Sequence, residues 1–166
     1  MDDANERSSL LESCLSPLIA EDVEFIVIGG QAEGLIGSAR VTFDVDVCYR
    51  RTPENLERLA RALATLKPSL RGAPPDLPFR LDAKALALGS NFTFDTTQGP
   101  FDLLGYLEPI GDYDAAVRNA VDVTVGPWTV KVLSLDDLIR IKEHIGRPKD
   151  RDSLMHLLAI RRLRDE

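Results

Sequence analysis

Only two cysteines, Cys14 and Cys48, occur in the 166 residues, in unrelated contexts and without CxxC spacing. So few thiols exclude a disulfide framework and a thiolate zinc site, and they read as the reduced cysteines of a cytosolic protein. Histidine is equally scarce: His144 and His156 lack a third ligand at metal spacing and are expected as surface or partly buried side chains. No run of about 18 apolar residues exists, so no membrane-spanning helix is expected. The start, Met1-Asp2-Asp3, lacks the basic region and apolar stretch of a secretory signal, which points to a cytoplasmic chain. Internal repeats and low-complexity tracts are also missing. Positive charge is in deficit overall, 20 Lys+Arg against 27 Asp+Glu, for a net of −7. Residues 131–166 carry a net of +2 and the remainder −9. An acidic body with a mildly basic C-terminal segment is not the footprint of a non-specific duplex binder. It suits a protein whose positive charges are placed locally, near one anionic ligand.

What is there fits one soluble domain with a real core, at 44% hydrophobic and 28% charged residues. Helical spacing of Leu10, Leu11, Leu15, Leu18 and Ile19 predicts a helix over 6–20. Glu24–Ile28 reads as a buried strand ended by Gly29-Gly30, residues 31–37 as a short helix, and Phe43–Tyr49 as a strand. A helix opens at Thr52-Pro53 and runs to about Leu66, and the proline-rich stretch 67–78 is a mobile loop. A short helix at Asp82–Leu88 is followed by strands at Asn91–Thr96 and Pro100–Leu107, a helical 113–119, and a hairpin of Val121–Val125 with Trp128–Leu133. Two closing helices are bounded by Ser134 as N-cap, Gly146 as C-terminal stop and Pro148 as restart. The class is α+β: a core over about 22–133 and a helical pair over 134–163. Trp128 is expected in the core, and Glu33 in solvent.

The chemistry lies in Ile28–Tyr49, IGGQAEGLIGSARVTFDVDVCY. Alternation along a strand puts Asp44 and Asp46 on one face and Phe43, Val45 and Val47 on the other, against the core. The two carboxylates then sit roughly 7 Å apart along the strand. A half-buried like-charge pair is unfavourable unless one member protonates or a cation intervenes, and oxygen ligands favour Mg2+ or Mn2+. The plainer reading is a solvated strand face. Upstream, Gly29-Gly30 permits a tight turn and lets a phosphate approach backbone N–H groups. It is neither a Walker A loop nor GxGxxG.

Gly-Gly, 13 residues and then Asp-x-Asp together resemble the signature of the polymerase-β-type nucleotidyltransferases. The intervening Ala32, Gly37, Arg40 and Thr42 are most similar to the minimal nucleotidyltransferase branch related to the AbiEii toxins, with Ile36 where a His commonly stands. The resemblance implies a polymerase-β-like fold, a mixed sheet flanked by helices, with two C-terminal helices. It implies Mg2+ or Mn2+ on Asp44, Asp46 and a third carboxylate, and a nucleoside triphosphate on Gly29, Gly30, Arg40 and Thr42.

Two-metal phosphoryl transfer uses a further carboxylate. Asp102, the one acid in the apolar Pro100–Leu104 strand, is the first candidate; Asp95 is its rival, and an edge strand facing water is the non-catalytic alternative. In the family the third Asp precedes an aliphatic pair, as Asp102 does here. The segment 135–152 is also family-like, with Lys142, Gly146, Arg147, Pro148, Lys149, Asp150 and Asp152. Lys142 and Lys149 could face the triphosphate, or these charges could simply match helix ends. The implied activity is transfer of a nucleoside monophosphate to a hydroxyl or phosphate acceptor on tRNA, protein or a small molecule, with a partner protein or homodimer possible. A catalytically degenerate binding or antitoxin-like module is the alternative.

Overall fold

A computed structural model describes residues 3–39, 42–74, 76–77 and 79–166, with side chains from Leu10 onward. Arg40, and with it the expected nucleotide contact there, lies outside the described residues. The expected order of elements holds: α1 (Asp3–Ala20), β1 (Phe25–Ile28), α2 (Gly29–Leu35), β2 (Val45–Tyr49), α3 (Pro53–Ala64). There follow β3 (Ser69–Leu70), α4 (Ala83–Leu88), β4 (Asn91–Thr96), β5 (Gly99–Leu104), β6 (Tyr106–Leu107), β7 (Gly111–Asp112) and α5 (Tyr113–Val117). The hairpin β8 (Val121–Val125) and β9 (Trp128–Val132), α6 (Leu135–Ile145), one 3-10 turn (Pro148–Asp150) and α7 (Arg151–Arg164) close the chain.

Among the described residues a seven-stranded mixed sheet runs in the order β3-β4-β5-β2-β1-β9-β8. β2 pairs antiparallel with β1 and parallel with β5. The parallel pairing requires a long crossover, here Arg50 to Gln98, which returns the chain so that β2 and β5 start side by side. Val45, Val47, Phe101 and Leu103 are fully buried. They join Leu11, Leu15 and Leu18 of α1 and Leu56, Leu59 and Leu63 of α3 in one apolar cluster. A one-residue slip of either strand would exchange these side chains for carboxylates, so the apolar alternation fixes the register. Among the described residues no helix is long and apolar enough to cross a membrane. Cys14 and Cys48 are buried and unpaired.

Local chemistry places the element ends. Thr52 Oγ1 accepts from the Asn55 N–H at 3.3 Å and Pro53 stands in the first turn of α3. Ser134 Oγ accepts from the Asp137 N–H at 3.1 Å, and Gly146 ends α6 at φ 63°, a conformation that glycine tolerates best.

Four expectations need correction. The strand expected over 100–107 breaks at Gly105, whose N–H donates to Ser90 O at 3.0 Å and Asn91 Oδ1 at 3.1 Å; a Cβ there would lie 2.6 Å from Ser90 Oγ. The stretch 67–78 includes β3, hydrogen-bonded to β4, rather than loop throughout. β2 begins at Val45, so the alternation does not extend back to Phe43, which is 54% exposed instead of packed. Trp128 sits at the core margin, partly buried.

Asn55 ties this framework together from a fully satisfied buried position. Its Oδ1 accepts from the Glu24 N–H at 2.7 Å, and its Nδ2 donates to Glu24 O at 3.1 Å and Arg50 O at 2.7 Å. It thereby fastens α3 to the chain entering β1 and leaving β2. Replacing it by Ala takes these bonds from Glu24 N–H and Arg50 O, while Glu24 O keeps the Arg50 N–H at 3.2 Å, and should lower stability by about 2–3 kcal/mol. Urea unfolding checks this; a midpoint within error of the parent would remove Asn55 from the account.

Candidate functional site

The register of β2 against β5 sets Asp46 directly beside Asp102, as it sets Val45 beside Phe101. Neighbouring strands lie about 4.8 Å apart, so two carboxylates share one spot on the sheet. Burial, then the charge of Asp102, the hydrogen bond shared with it and the charge of Asp44 push the Asp46 carboxyl up to about 7. Arg71 opposes this shift. Asp102 belongs to an interior strand, between β2 and β4, which excludes the edge-strand alternative.

Asp44 stands differently from the expectation. It precedes β2 and is exposed, outside the strand that carries Asp46, although its charge still acts on the Asp46 carboxyl. Its N–H donates to Thr42 Oγ1 at 3.2 Å, while the buried Gln31 donates from Nε2 to Thr42 O at 3.2 Å. Thr42 thus links α2 to the approach of the acidic strand.

The glycine turn is shaped by close approach. Gly29 has φ +66°, and a Cβ on it would overlap Asp46 Oδ2; one on Gly30 would lie 2.6 Å from Thr42 Cγ2. A side chain at Gly29 would fill the space over the carboxylate, and one at Gly30 would collide with Thr42. That space, with a donor set of hard carboxylate oxygens, fits Mg2+ or Mn2+. Among the described residues no group of three or more His, Cys, Asp or Glu side chains is gathered as a metal cage. Asp46 and Asp102 form the assembled part, with Asp44 at the rim.

Two participants have no counterpart in the sequence reading. Arg71, just after β3, donates from Nη2 to Asp102 Oδ1 and Phe94 O, both at 2.8 Å, and from Nε to Asp95 Oδ1 at 3.2 Å. Asp95, the rival third carboxylate, is therefore one strand farther out and engaged with this guanidinium. Sequence separations of 24 and 31 residues left no local signal of that cluster.

Glu33 is the second. Expected in solvent, it is 2% exposed: its Oε2 accepts from Ser153 Oγ at 3.2 Å and its Oε1 lies 3.5 Å from Lys142 Nζ. Lys142 also donates to Asp150 Oδ1 at 3.0 Å, and Arg147 Nε donates to Asp150 Oδ2 at 2.7 Å. Burial alone would raise the Asp150 pKa, but the hydrogen bonds and charges of Arg147 and Lys142 bring it below the ordinary value. This network docks α6, the 3-10 turn and α7 onto α2. Lys149 lies in the 3-10 turn rather than at the head of a helix. A cavity of about 310 Å³ separates Gly30, Thr42 and Asp44 from Lys142, Arg147 and Lys149. His144 is exposed, 3.3 Å from Glu108, and His156 is exposed.

No protein-family model matches the chain, and no curated protein does so significantly. Solved structures do. A Thermotoga maritima protein assigned to the nucleotidyltransferases, TM1012, superposes with a TM-score of 0.58 at 16% identity, over 93% of this chain and 94% of its own. The antibiotic-resistance factor ANT(2'')-Ia in solution gives 0.62 at 11% identity, over 95% and 85%. Its crystal structure with adenylyl-2''-tobramycin gives 0.60 at 12%, over 93% and 88%. The chain therefore has the mixed α+β fold of the nucleotidyltransferases.

The carboxylate pair carries a stability consequence. A carboxyl whose pKa is raised on folding favours the folded state below its unfolded pKa of about 4, and that benefit is lost as pH rises through about 7. Asp46→Asn should therefore stabilise the metal-free protein at pH 8 by on the order of 1–2 kcal/mol, a few degrees in Tm. The difference should vanish near pH 4. Thermal melts in chelator across this range check it; a variant less stable at pH 8 would show that the pair is not in conflict.

Proposed function

We propose that the chain is a divalent-metal-dependent nucleotidyltransferase that moves a nucleoside monophosphate from a nucleoside triphosphate to a hydroxyl acceptor. The observation that carries this is the in-register juxtaposition of Asp46 and Asp102 beneath a glycine turn that admits no side chain. Kinship in fold with nucleotidyltransferases supports it, as does the Gly-Gly to Asp-x-Asp pattern, and the intervening Ala32, Gly37, Arg40 and Thr42 favour the AbiEii-like branch. The cytoplasm, where nucleoside triphosphates are abundant, is the proposed site of action.

In this reading Asp46 and Asp102, with Asp44 at the rim, hold Mg2+ or Mn2+. When bound, the ion neutralises phosphate charge and makes the acceptor hydroxyl more acidic. Gly29 and Gly30 leave their backbone open to the phosphates, with Thr42 beside them. Lys149, and Lys142 from its carboxylate-held position, supply positive charge on the far wall of the cavity. Catalysis then consists of positioning and charge compensation, which phosphoryl transfer chiefly requires. The acidic body repels polyanions, so a small molecule or a protein side chain suits the cleft better than a tRNA end. The molecule bound in the ANT(2'')-Ia complex, adenylyl-2''-tobramycin, is of the first kind, a small molecule that carries the transferred group.

The test is incubation with each α-labelled nucleoside triphosphate, Mg2+ and cell lysate, followed by separation of RNA, protein and small molecules. Label should enter one fraction, and Asp102→Asn should reduce single-turnover transfer at least about a hundredfold, or about 2.7 kcal/mol, with nucleotide affinity retained. No transfer from any triphosphate, or transfer by the variant at the parental rate, would contradict the proposal and favour a non-catalytic binding module.

The two lysines should separate in the same preparation. Lys149→Ala should weaken nucleotide binding severalfold and leave the melting curve unchanged. Lys142→Ala takes the cation from the buried Glu33 and leaves Asp150 with Arg147 alone, and should cost about 3 kcal/mol of stability. Equal melting temperatures for the two variants would count against the buried network.

A further inference from the structure

Arg71 is delivered to Asp102 by the sheet itself. Its N–H donates to Thr93 O at 3.0 Å, extending the β3–β4 pairing by one bond, and Thr93 is the cross-strand partner of Asp102. Its side chain is fixed just as firmly, on Phe94 O, Asp95 Oδ1 and Asp102 Oδ1. The Arg71 side chain is 36% exposed, so it stands at the margin of the cleft rather than in the core. An arginine fork held by a backbone carbonyl and two carboxylates is a built feature, since one salt bridge would have sufficed to match charge.

We propose that Arg71 is a resident counter-cation of the carboxylate pair, which makes divalent-ion binding depend on the nucleotide. The inference rests on the reading of Asp46 and Asp102 as metal ligands. Arg71 occupies one oxygen of Asp102 and puts a fixed positive charge against the pair, which disfavours a second cation there. A triphosphate brings the negative charge that offsets Arg71, so ion and nucleotide bind together and the ion alone binds weakly. Asp95 is the anchor that keeps the guanidinium from leaving. Arg71 thus acts through Asp102 as a positioning residue.

Calorimetric titration with Mn2+ tests this on the full chain, using the parent, Arg71→Met, Arg71→Lys and a control, Arg80→Met. Arg80 is in the following loop, 90% exposed and 3.6 Å from Asp82, so its removal changes net charge equally without touching Asp102. Without nucleotide, Arg71→Met should bind Mn2+ at least tenfold more tightly than the parent. Arg71→Lys and Arg80→Met should stay within about threefold of the parent. With a saturating non-hydrolysable triphosphate the Arg71→Met advantage should shrink to less than threefold. Thermal melts confirm that each variant is folded. Equal Mn2+ affinity for a folded Arg71→Met and the parent would overturn the inference while leaving the metal site standing. Failure of parent and variants alike to bind Mn2+, with or without nucleotide, would overturn the metal site and the inference with it.

Discussion

Two carboxylates forced together by parallel strand pairing, Asp46 beside Asp102, are the constraint that the surrounding structure answers. The register that joins them is set on the opposite face, where Val45, Val47, Phe101 and Leu103 are fully buried. The apolar core therefore holds in place an arrangement that electrostatics disfavours. Gly29 keeps the space above Asp46 open, and Arg71 offsets part of the charge from one side. Such a local conflict, sustained by a well-packed fold, is the feature on which the proposed metal site rests.

The closing helices obey a second, related constraint. Lys142 stands between Glu33 and Asp150, both almost fully buried, and Arg147 completes the charge balance on Asp150. A buried ion network of this kind adds little net stability over an apolar contact, but breaking it is costly, so it holds one arrangement of the elements. The arrangement it holds sets the basic end of α6 and the 3-10 turn across a cavity from the glycine turn.

Much of this was legible in the sequence because it depends on local rules. Strand alternation identified the faces of Asp46 and Asp102, and the caps Thr52, Ser134 and Gly146 placed the helices. The glycine pair before Asp-x-Asp marked the candidate site. What escaped was set by packing across long separations. Glu33 looks solvent-facing on a short helix until Ser153 and Lys142 arrive from more than a hundred residues away. Arg71 lies in a stretch whose prolines suggest only a loop, and nothing nearby announces that β3 will carry it to Asp102. Asp44 and Phe43 were placed on β2 by alternation alone, but the strand begins two residues after Phe43, at Val45. The roles of the site residues remain proposals that follow from this geometry.

The central claim is that the Asp46–Asp102 pair is a divalent-ion site facing a nucleotide on the glycine turn. Crystals grown with Mn2+ and a non-hydrolysable nucleoside triphosphate, measured for Mn anomalous scattering, test it most directly. The account predicts an anomalous peak within coordination distance of carboxylate oxygens from both Asp46 and Asp102, with triphosphate density along Gly29 and Gly30. Nucleotide bound elsewhere, or a Mn2+ peak that touches neither carboxylate, would contradict it.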